Sequence, residues 1–443
     1  MHGRTHPLPD HARQDDEPAA ATTETTAKPK DRLNPDFNRL WLAQTVSGFG
    51  ARVTREALPL AAVLTLGARP GQLGLLSAVA NAPQIFMGLS CGGFVDRTPR
   101  RMILIGSDLF RGVLLVTVPL AAWFHILSLI QLYIVALGIG SASVLSDLAG
   151  HAFLPSLLGQ EHLAKGNTRL SVADSLAEIA GPALTGFLVQ LMTAPLAIGV
   201  DVATYVFSAG LMVTVGKKTD TPDPGERRTW RRNFKDGLST ILSNPLVRPV
   251  FMMDMCGALF ATMTGAVYLF FAAKQLHLSP FMIGLTFAAG GVGALLGAAA
   301  RTPIVKGLGL GPALLLTAFA GGGSSFVLPF IYGGPVFATV ALCLVRLFGS
   351  ALGVLSGVSL NTLRQLVIPS QMLGRVGAVF QVGVGAASML GGLIGGGMGE
   401  VIGTRQTMFI AAIGTTATGL WAVFSRLGGL KTMPKPDKSQ TEA

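Results

Sequence analysis

Charge is what this sequence has least of. Only 13 % of its 443 residues are Asp, Glu, Lys or Arg, where an ordinary soluble domain carries about 25 %. Half are hydrophobic and the mean hydropathy is +0.54, so the chain reads as an integral membrane protein. Cysteine is scarce too. Cys91, Cys256 and Cys343 lie far apart in apolar runs, which argues against a disulfide framework or a thiolate metal set. The seven histidines are scattered, with His2, His6 and His11 in a polar N-terminal stretch, and no His-Glu metal spacing occurs. A Walker-type Gly-Lys-Ser/Thr is missing, since Gly216-Lys217-Lys218 does not qualify, so a single-chain ATP-driven pump is not expected. No Ser/His pairing at mid-depth points to an intramembrane enzyme. No cofactor, no metal and no catalytic residue is expected.

What is present is a series of apolar segments of spanning length, about 20 residues each. They fall near 39–66, 72–95, 102–124, 127–149, 168–190, 195–216, 249–272, 280–300, 310–332, 335–360, 375–400 and 405–427. The expected fold is therefore all-α, with twelve transmembrane helices. Residues 1–36 are polar, rich in Pro, Thr and charge, carry no signal-peptide pattern and are expected to be disordered. Residues 37–216 form one set of six spans and 249–428 another. Residues 217–248 form a basic linker with Pro222, Pro224, Arg227, Arg228, Arg231, Arg232 and Lys235, and 429–443 form a tail. The linker's second half, Phe234 to Val247, is expected as a short helix on the membrane surface.

The formal net charge of +11 does not imply nucleic acid, because the basic residues sit in short loops between apolar segments. About 27 of the 34 Lys and Arg fall in the N-terminal tail, alternate loops beginning with 97–101, the linker and the C-terminal tail. Arg69, Lys274 and Arg405 fall in the other loops, and Arg52, Arg55, Arg111 and Arg346 inside spans. By the positive-inside rule both termini and the linker are cytoplasmic. The halves echo one another: Arg97-Thr98-Pro99 after span 2 matches Arg301-Thr302-Pro303 after span 8, and Leu154-Pro155-Ser156 matches Ile368-Pro369-Ser370. Parallel six-span repeats are a known transporter plan.

Gly92-Gly93-Phe94-Val95-Asp96-Arg97-Thr98-Pro99-Arg100-Arg101 lies between spans 2 and 3. Gly88, Gly92 and Asp96 share one helix face, and glycines so spaced admit a close neighbour. The loop is either a topology anchor or a moving latch. It resembles the loop between helices 2 and 3 of the major facilitator superfamily, with Gly92, Asp96, Arg97, Arg100 and Arg101 matching and Pro99 replacing a usual Gly. Further stretches extend the resemblance from Phe37 to Gly428 and toward bacterial exporters of the enterobactin-exporter-like and macrolide-efflux-like kind. These are Leu40–Ser47 with Ala57-Leu58-Pro59, Asp108 and Arg111, Gly181-Pro182-Ala183-Leu184-Thr185-Gly186, and Ile368–Val376.

The resemblance implies two six-helix bundles in a bacterial cytoplasmic membrane, multi-pass and monomeric. The chain would export a small amphipathic molecule (a drug, siderophore or other secondary metabolite) by proton antiport with alternating access. Its partners would be the small-molecule substrate, protons and the lipid bilayer. It implies a cytoplasmic gate of Gly92, Asp96, Arg97, Arg100, Arg101 and Arg375, and a helix-bending motif of Gly181, Pro182 and Gly186. That motif departs from the drug-exporter pattern at Thr185, where a second Gly is common. Spans 2 and 11 would meet through Gly88-Gly92 on one side and Gly391, Gly395 and Gly399 on the other.

Ionisable groups inside spans are functional candidates by default because they are costly there. Glu56, Arg52 and Arg55 lie near the middle of span 1, Glu178 in span 5 and Arg346 in span 10, with Asp147, Asp174 and Asp254 nearer one side and Asp201 nearer the other. By the resemblance, Glu56 and Arg346 would face the central cavity. Arg52 and Glu56, four apart, are expected to pair, either as a static ion pair or as a carboxylate that loads a proton. Asp174 and Glu178, also four apart, form either a proton-sharing carboxylate pair or two separately satisfied groups. Asp108 and Arg111 read as structural. The rival functions are import of a nutrient or lysolipid, and a membrane sensor that has lost transport.

Overall fold

A computed structural model describes residues 34–90, 92–216 and 230–430. The expected tails at 1–33 and 431–443, Cys91 and the linker residues 217–229 lie outside the described residues, as do the surroundings of Gly88 and Gly92 and the side chain of Asp96. Among the described residues the regular structure is helical. In chain order the helices are α1 (Pro35–Leu64), α2 (Pro70–Ser90), α3 (Gly92–Arg97), α4 (Arg100–Trp123), α5 (Leu129–Met192), α6 (Ala194–Val213), α7 (Trp230–Ser243), α8 (Val247–Phe270), α9 (Pro280–Leu308), α10 (Leu310–Ser325), α11 (Pro335–Val367), α12 (Ser370–Val401), α13 (Thr404–Ala417) and α14 (Gly419–Val423). Nine helical stretches among the described residues are long and apolar enough to cross a membrane. Their outer faces carry large exposed apolar side chains, such as Trp123, Phe187, Val336 and Phe348. Such a surface is suited to lipid, where every backbone polar group must be satisfied within the chain.

Local sequence sets the helix starts. Asn34 accepts from the Asp36 amide at 3.0 Å, with Pro35 at the first helical position. Ser128 caps α5 through the Gln131 amide, and Ser279 caps α9 ahead of Pro280. Asn244 accepts from the Leu246 and Val247 amides and so opens α8. The expected loop between spans 4 and 5 is instead helical, so α5 holds two membrane-length segments, Leu129–Leu158 and His162–Met192. Contacts along α1 show the reversal. Asn34 donates to the Leu157 carbonyl and Gln44 lies beside Gly150, while Trp41 donates to the Arg169 carbonyl and Arg52 lies beside Gly181. As α1 advances, its partners in the first segment fall from Leu157 to Gly150 and those in the second rise from Arg169 to Gly181, so the chain turns back between the two segments.

The expected short helix is α7, beginning at Trp230 and ending at Ser243, and one face of it docks on protein. Ile241 is fully buried with Val250, Leu360 and Val379, and Gly237 abuts the Arg375 carbonyl. An amphipathic stripe is satisfied equally by lipid and by a helix groove, so composition could not separate the two.

The packing is asymmetric along the molecule. One end carries Arg97–Arg101, the start of α1 and the end of α6; it is called the basic end below. At the other end one core cluster draws on both chain halves, including Ala61, Leu73, Leu132, Ile198, Val267, Phe271, Ile283 and Leu342. Toward the basic end the second cluster is confined to residues between Phe234 and Leu430. Glycine seams bring the helices together where lipid supplies no hydrophobic force between them. A Cβ on Gly396 would stand 2.7 Å from the Gly74 Cα, and one on Gly186 would stand 3.0 Å from the Gly284 Cα. The expectation that span 11 meets span 2 holds for the helices, since α12 packs on α2. The expected stripe is divided: Gly391 and Gly395 face the Leu259 and Met263 backbone of α8, Gly399 touches both Val267 of α8 and Pro70 of α2, and Gly392 and Gly396 face α2.

Candidate functional site

Four charges predicted from depth alone converge between α1 and α5. Arg52 forms an ion pair with Glu178, and Arg55 Nη2 reaches Glu178 Oε1 at 3.0 Å. Arg55 Nε also meets Glu56 Oε1 at 3.4 Å. The expected Arg52–Glu56 pair along one helix face is therefore replaced by a bridge between helices. Gly181 explains the preference, because α5 has no side chain where it faces Arg52, and a Cβ there would lie 2.6 Å from the Arg52 Cβ. The close approach brings Glu178, one turn earlier, within reach of both arginines. Asp174 acts electrostatically on Arg52. Glu178 thus shares two cations of α1. The Arg55 and Glu178 side chains are 52 % and 42 % exposed. Ions so exposed at this depth require water, so this face of α1 and α5 borders an aqueous interior.

The Gly-Pro stretch is a packing seam. Pro182 lacks the N–H that would bond the Glu178 carbonyl, yet α5 stays helical through it. Thr185, fully buried, donates to the Gly181 carbonyl at 2.8 Å. Gly186 then sits against the Pro280 carbonyl and Gly284 of α9.

Arg346 stands apart from the cluster. Its guanidinium carbon lies 4.2 Å from the Tyr268 ring centroid and 4.3 Å from that of Phe287. Glu56 acts on it electrostatically across the interior. Tyr268 and Phe287 carried no signal of their own in the sequence; only the arginine did.

Of the expected gate residues, Arg97 is exposed and Arg100 half-buried. Arg101 donates to the Met212 carbonyl at 2.9 Å and to the Val213 carbonyl, so it caps the C-terminus of α6. Arg375 pairs with Asp236 of α7 at 3.4 Å, a partner not foreseen. Arg111 and Asp108 are buried and 3.4 Å apart. Ser208 donates to Asp108 at 2.6 Å and Arg111 to the Ala142 carbonyl at 2.8 Å, which ties α4 to α6 and α5. Asp201 is fully buried and accepts from Thr54 and Thr204. Asp254 lines a cavity described below. No group of His, Cys, Asp and Glu among the described residues could hold a metal ion.

A Major Facilitator Superfamily profile matches residues 40–392. The enterobactin exporter EntS of Citrobacter koseri is 26 % identical over 409 residues, covering 91 % of this chain and 95 % of that protein. Among solved structures, the nucleoside transporter NupG superposes with a TM-score of 0.72 at 14 % identity, covering 88 % of this chain and 98 % of its own. A bacterial homologue of the iron transporter ferroportin in an inward-facing state gives 0.69 at 15 %, covering 87 % and 98 %. These matches span the same helices that hold the charges between α1 and α5, and the chain is a multi-pass membrane protein belonging to the major facilitator superfamily.

Proposed function

We propose that this chain is a secondary transporter that exports a small amphipathic compound across a bacterial cytoplasmic membrane by proton antiport. In this reading it has twelve spans in two six-helix halves, joined by the linker around 217–248, with both termini cytoplasmic. The basic end then faces the cytoplasm. The observation that carries the reading is Glu178, a carboxylate at spanning depth that holds two arginines of another helix. A proton on Glu178 removes the charge that fixes Arg52 and Arg55, and α1 is released from α5 where Gly181 seats it. The two halves meet at the end away from the basic loops, through Gly74 with Gly396, Gly186 with Gly284 and Arg69 with Glu400 at 3.8 Å. Parting of that seam, as the basic end closes, is the alternating-access step. The exporter name of the EntS relative supports the direction.

The test is accumulation of a panel of antibiotics, dyes and siderophores in pump-deficient bacteria. Cells carry wild type, Glu178→Gln, Glu56→Gln or empty vector, with and without a protonophore. Lower accumulation of a compound in wild type, lost with protonophore and in Glu178→Gln, is expected. Efflux that survives the protonophore, or full activity in Glu178→Gln, would sink proton coupling through this residue.

A further inference from the structure

A cavity lies within the C-terminal part, between α8, α10, α11 and α13, with a volume of about 470 Å³. Its lining runs along α8 from Met253 to Tyr268, a rise of about 22 Å. Seven glycines line it, and at Gly257, Gly265, Gly353 and Gly357 an added Cβ would meet nothing within 4 Å. These glycines face open space, in contrast to the seam glycines. Hydroxyls of Thr264, Ser350 and Thr415 add polar lining. Arg346 stands at the deep end.

Arg346 is unusually unmatched for a cation at this depth. Its Nε is buried with no hydrogen-bond partner. Among the described residues the guanidinium makes ring contacts to Tyr268 and Phe287 and no hydrogen bond or ion pair. The Tyr268 hydroxyl is directed elsewhere, toward Thr286 Oγ1 at 2.7 Å. Rings hold the guanidinium by its charge and leave its N–H donors unanswered. Glu56 attracts it only from a distance, being engaged by Arg55. The other three arginines expected inside spans, Arg52, Arg55 and Arg111, are already matched by Glu178, Glu56 and Asp108. A fixed cation with free in-plane donors at the end of a cavity lined by glycines, apolar side chains and hydroxyl-bearing residues matches a planar oxyanion, bound by two parallel N–H···O bonds.

We propose that this cavity is a binding site for an organic acid, with its carboxylate on Arg346 and its uncharged body along the glycine-lined wall of α8 and α11. The assignment rests on the transporter reading and names the substrate class for it. Glu56 and the bound carboxylate compete for one cation, so loading the acid loosens the hold of Arg346 on Glu56.

Purified full-length protein in lipid nanodiscs tests this by calorimetric titration. The probes are three molecules with one body: biphenyl-4-carboxylate, biphenyl-4-methanol and biphenyl-4-methylammonium, each corrected against empty nanodiscs. Wild type is expected to bind the acid at least tenfold more tightly than the other two. Arg346→Gln removes that preference. Gly265→Leu, which fills open space without a backbone clash, abolishes binding of all three, and Glu56→Gln tightens the acid. Unchanged elution on size exclusion confirms that each variant is folded. Equal affinity for the three probes, no acid binding, or an unchanged acid affinity in Arg346→Gln overturns the assignment. Proton-driven efflux that persists alongside any of these results refutes the site and spares the export reading. Selective acid binding without efflux does the reverse.

Discussion

Replacing Glu178 by Gln removes one carboxylate from between two arginines while keeping shape. At 3.0 Å, the Arg55–Glu178 separation, Coulomb attraction is about 5.5 kcal/mol at an effective dielectric of 20 and about 1.4 kcal/mol in bulk water. Glu178 is 42 % exposed, which places the pair toward the weaker limit, and desolvation offsets part of the remainder. A coupling of about 1–2 kcal/mol with each arginine is expected. The measurement is a double-mutant cycle on Arg55→Gln and Glu178→Gln, repeated with Arg52→Gln, by reversible unfolding in mixed SDS micelles. Each single variant should lose stability, and the double variant less than their sum. The coupling should shrink as salt rises, because these ions face water. In vesicles Glu178→Gln should exchange substrate across the membrane but not concentrate it, since it mimics one protonation state permanently. Additivity within about 0.5 kcal/mol would mean that Glu178 does not hold α1, and the proposed coupling step would fail with it.

Asp201→Ala strands the buried hydroxyl of Thr54, while Thr204 keeps its bond to the Asp201 carbonyl, and should cost about 1–3 kcal/mol; Asp201→Asn keeps an acceptor and should cost less than half of that, read in the same unfolding assay. Gly396→Ala drives a methyl toward the Gly74 Cα and should lower both thermal stability and transport. Its neighbour Gly397 faces nothing within 4 Å, so Gly397→Ala should be neutral or stabilising by up to about 1 kcal/mol; equal effects of the two would refute the seam. Thr185→Gly restores the residue more usual in drug exporters, yet it should destabilise by about 2–3 kcal/mol, because it empties a fully buried site and adds backbone freedom. A melting temperature at or above wild type would contradict that.

The sequence reported depth well and partnership poorly, for a physical reason. A charge in an apolar run is visible wherever it stands, so Arg52, Arg55, Glu56, Glu178 and Arg346 were all legible from hydropathy. Their partners depend on how closely two helices approach, and that is set by residues without functional chemistry. Arg52 lies three to four residues from both Arg55 and Glu56 along α1, and helical periodicity alone makes Glu56 its partner. Gly181, on another helix, overrides this by letting α5 bring Glu178 into range. The same holds for the stripe on α12. Gly391 and Gly395 serve α8, Gly392 and Gly396 serve α2, and Gly399 touches both, and a four-residue spacing cannot say which glycine faces which helix. Nor can it distinguish a glycine that lets a backbone approach from one that leaves a space. Gly395 and Gly265 look alike in the sequence, yet one is pressed on the Met263 backbone and the other opens on the cavity that leads to Arg346. In a chain with 56 glycines, specificity is therefore written as much in which glycines stay uncovered as in which side chains carry charge.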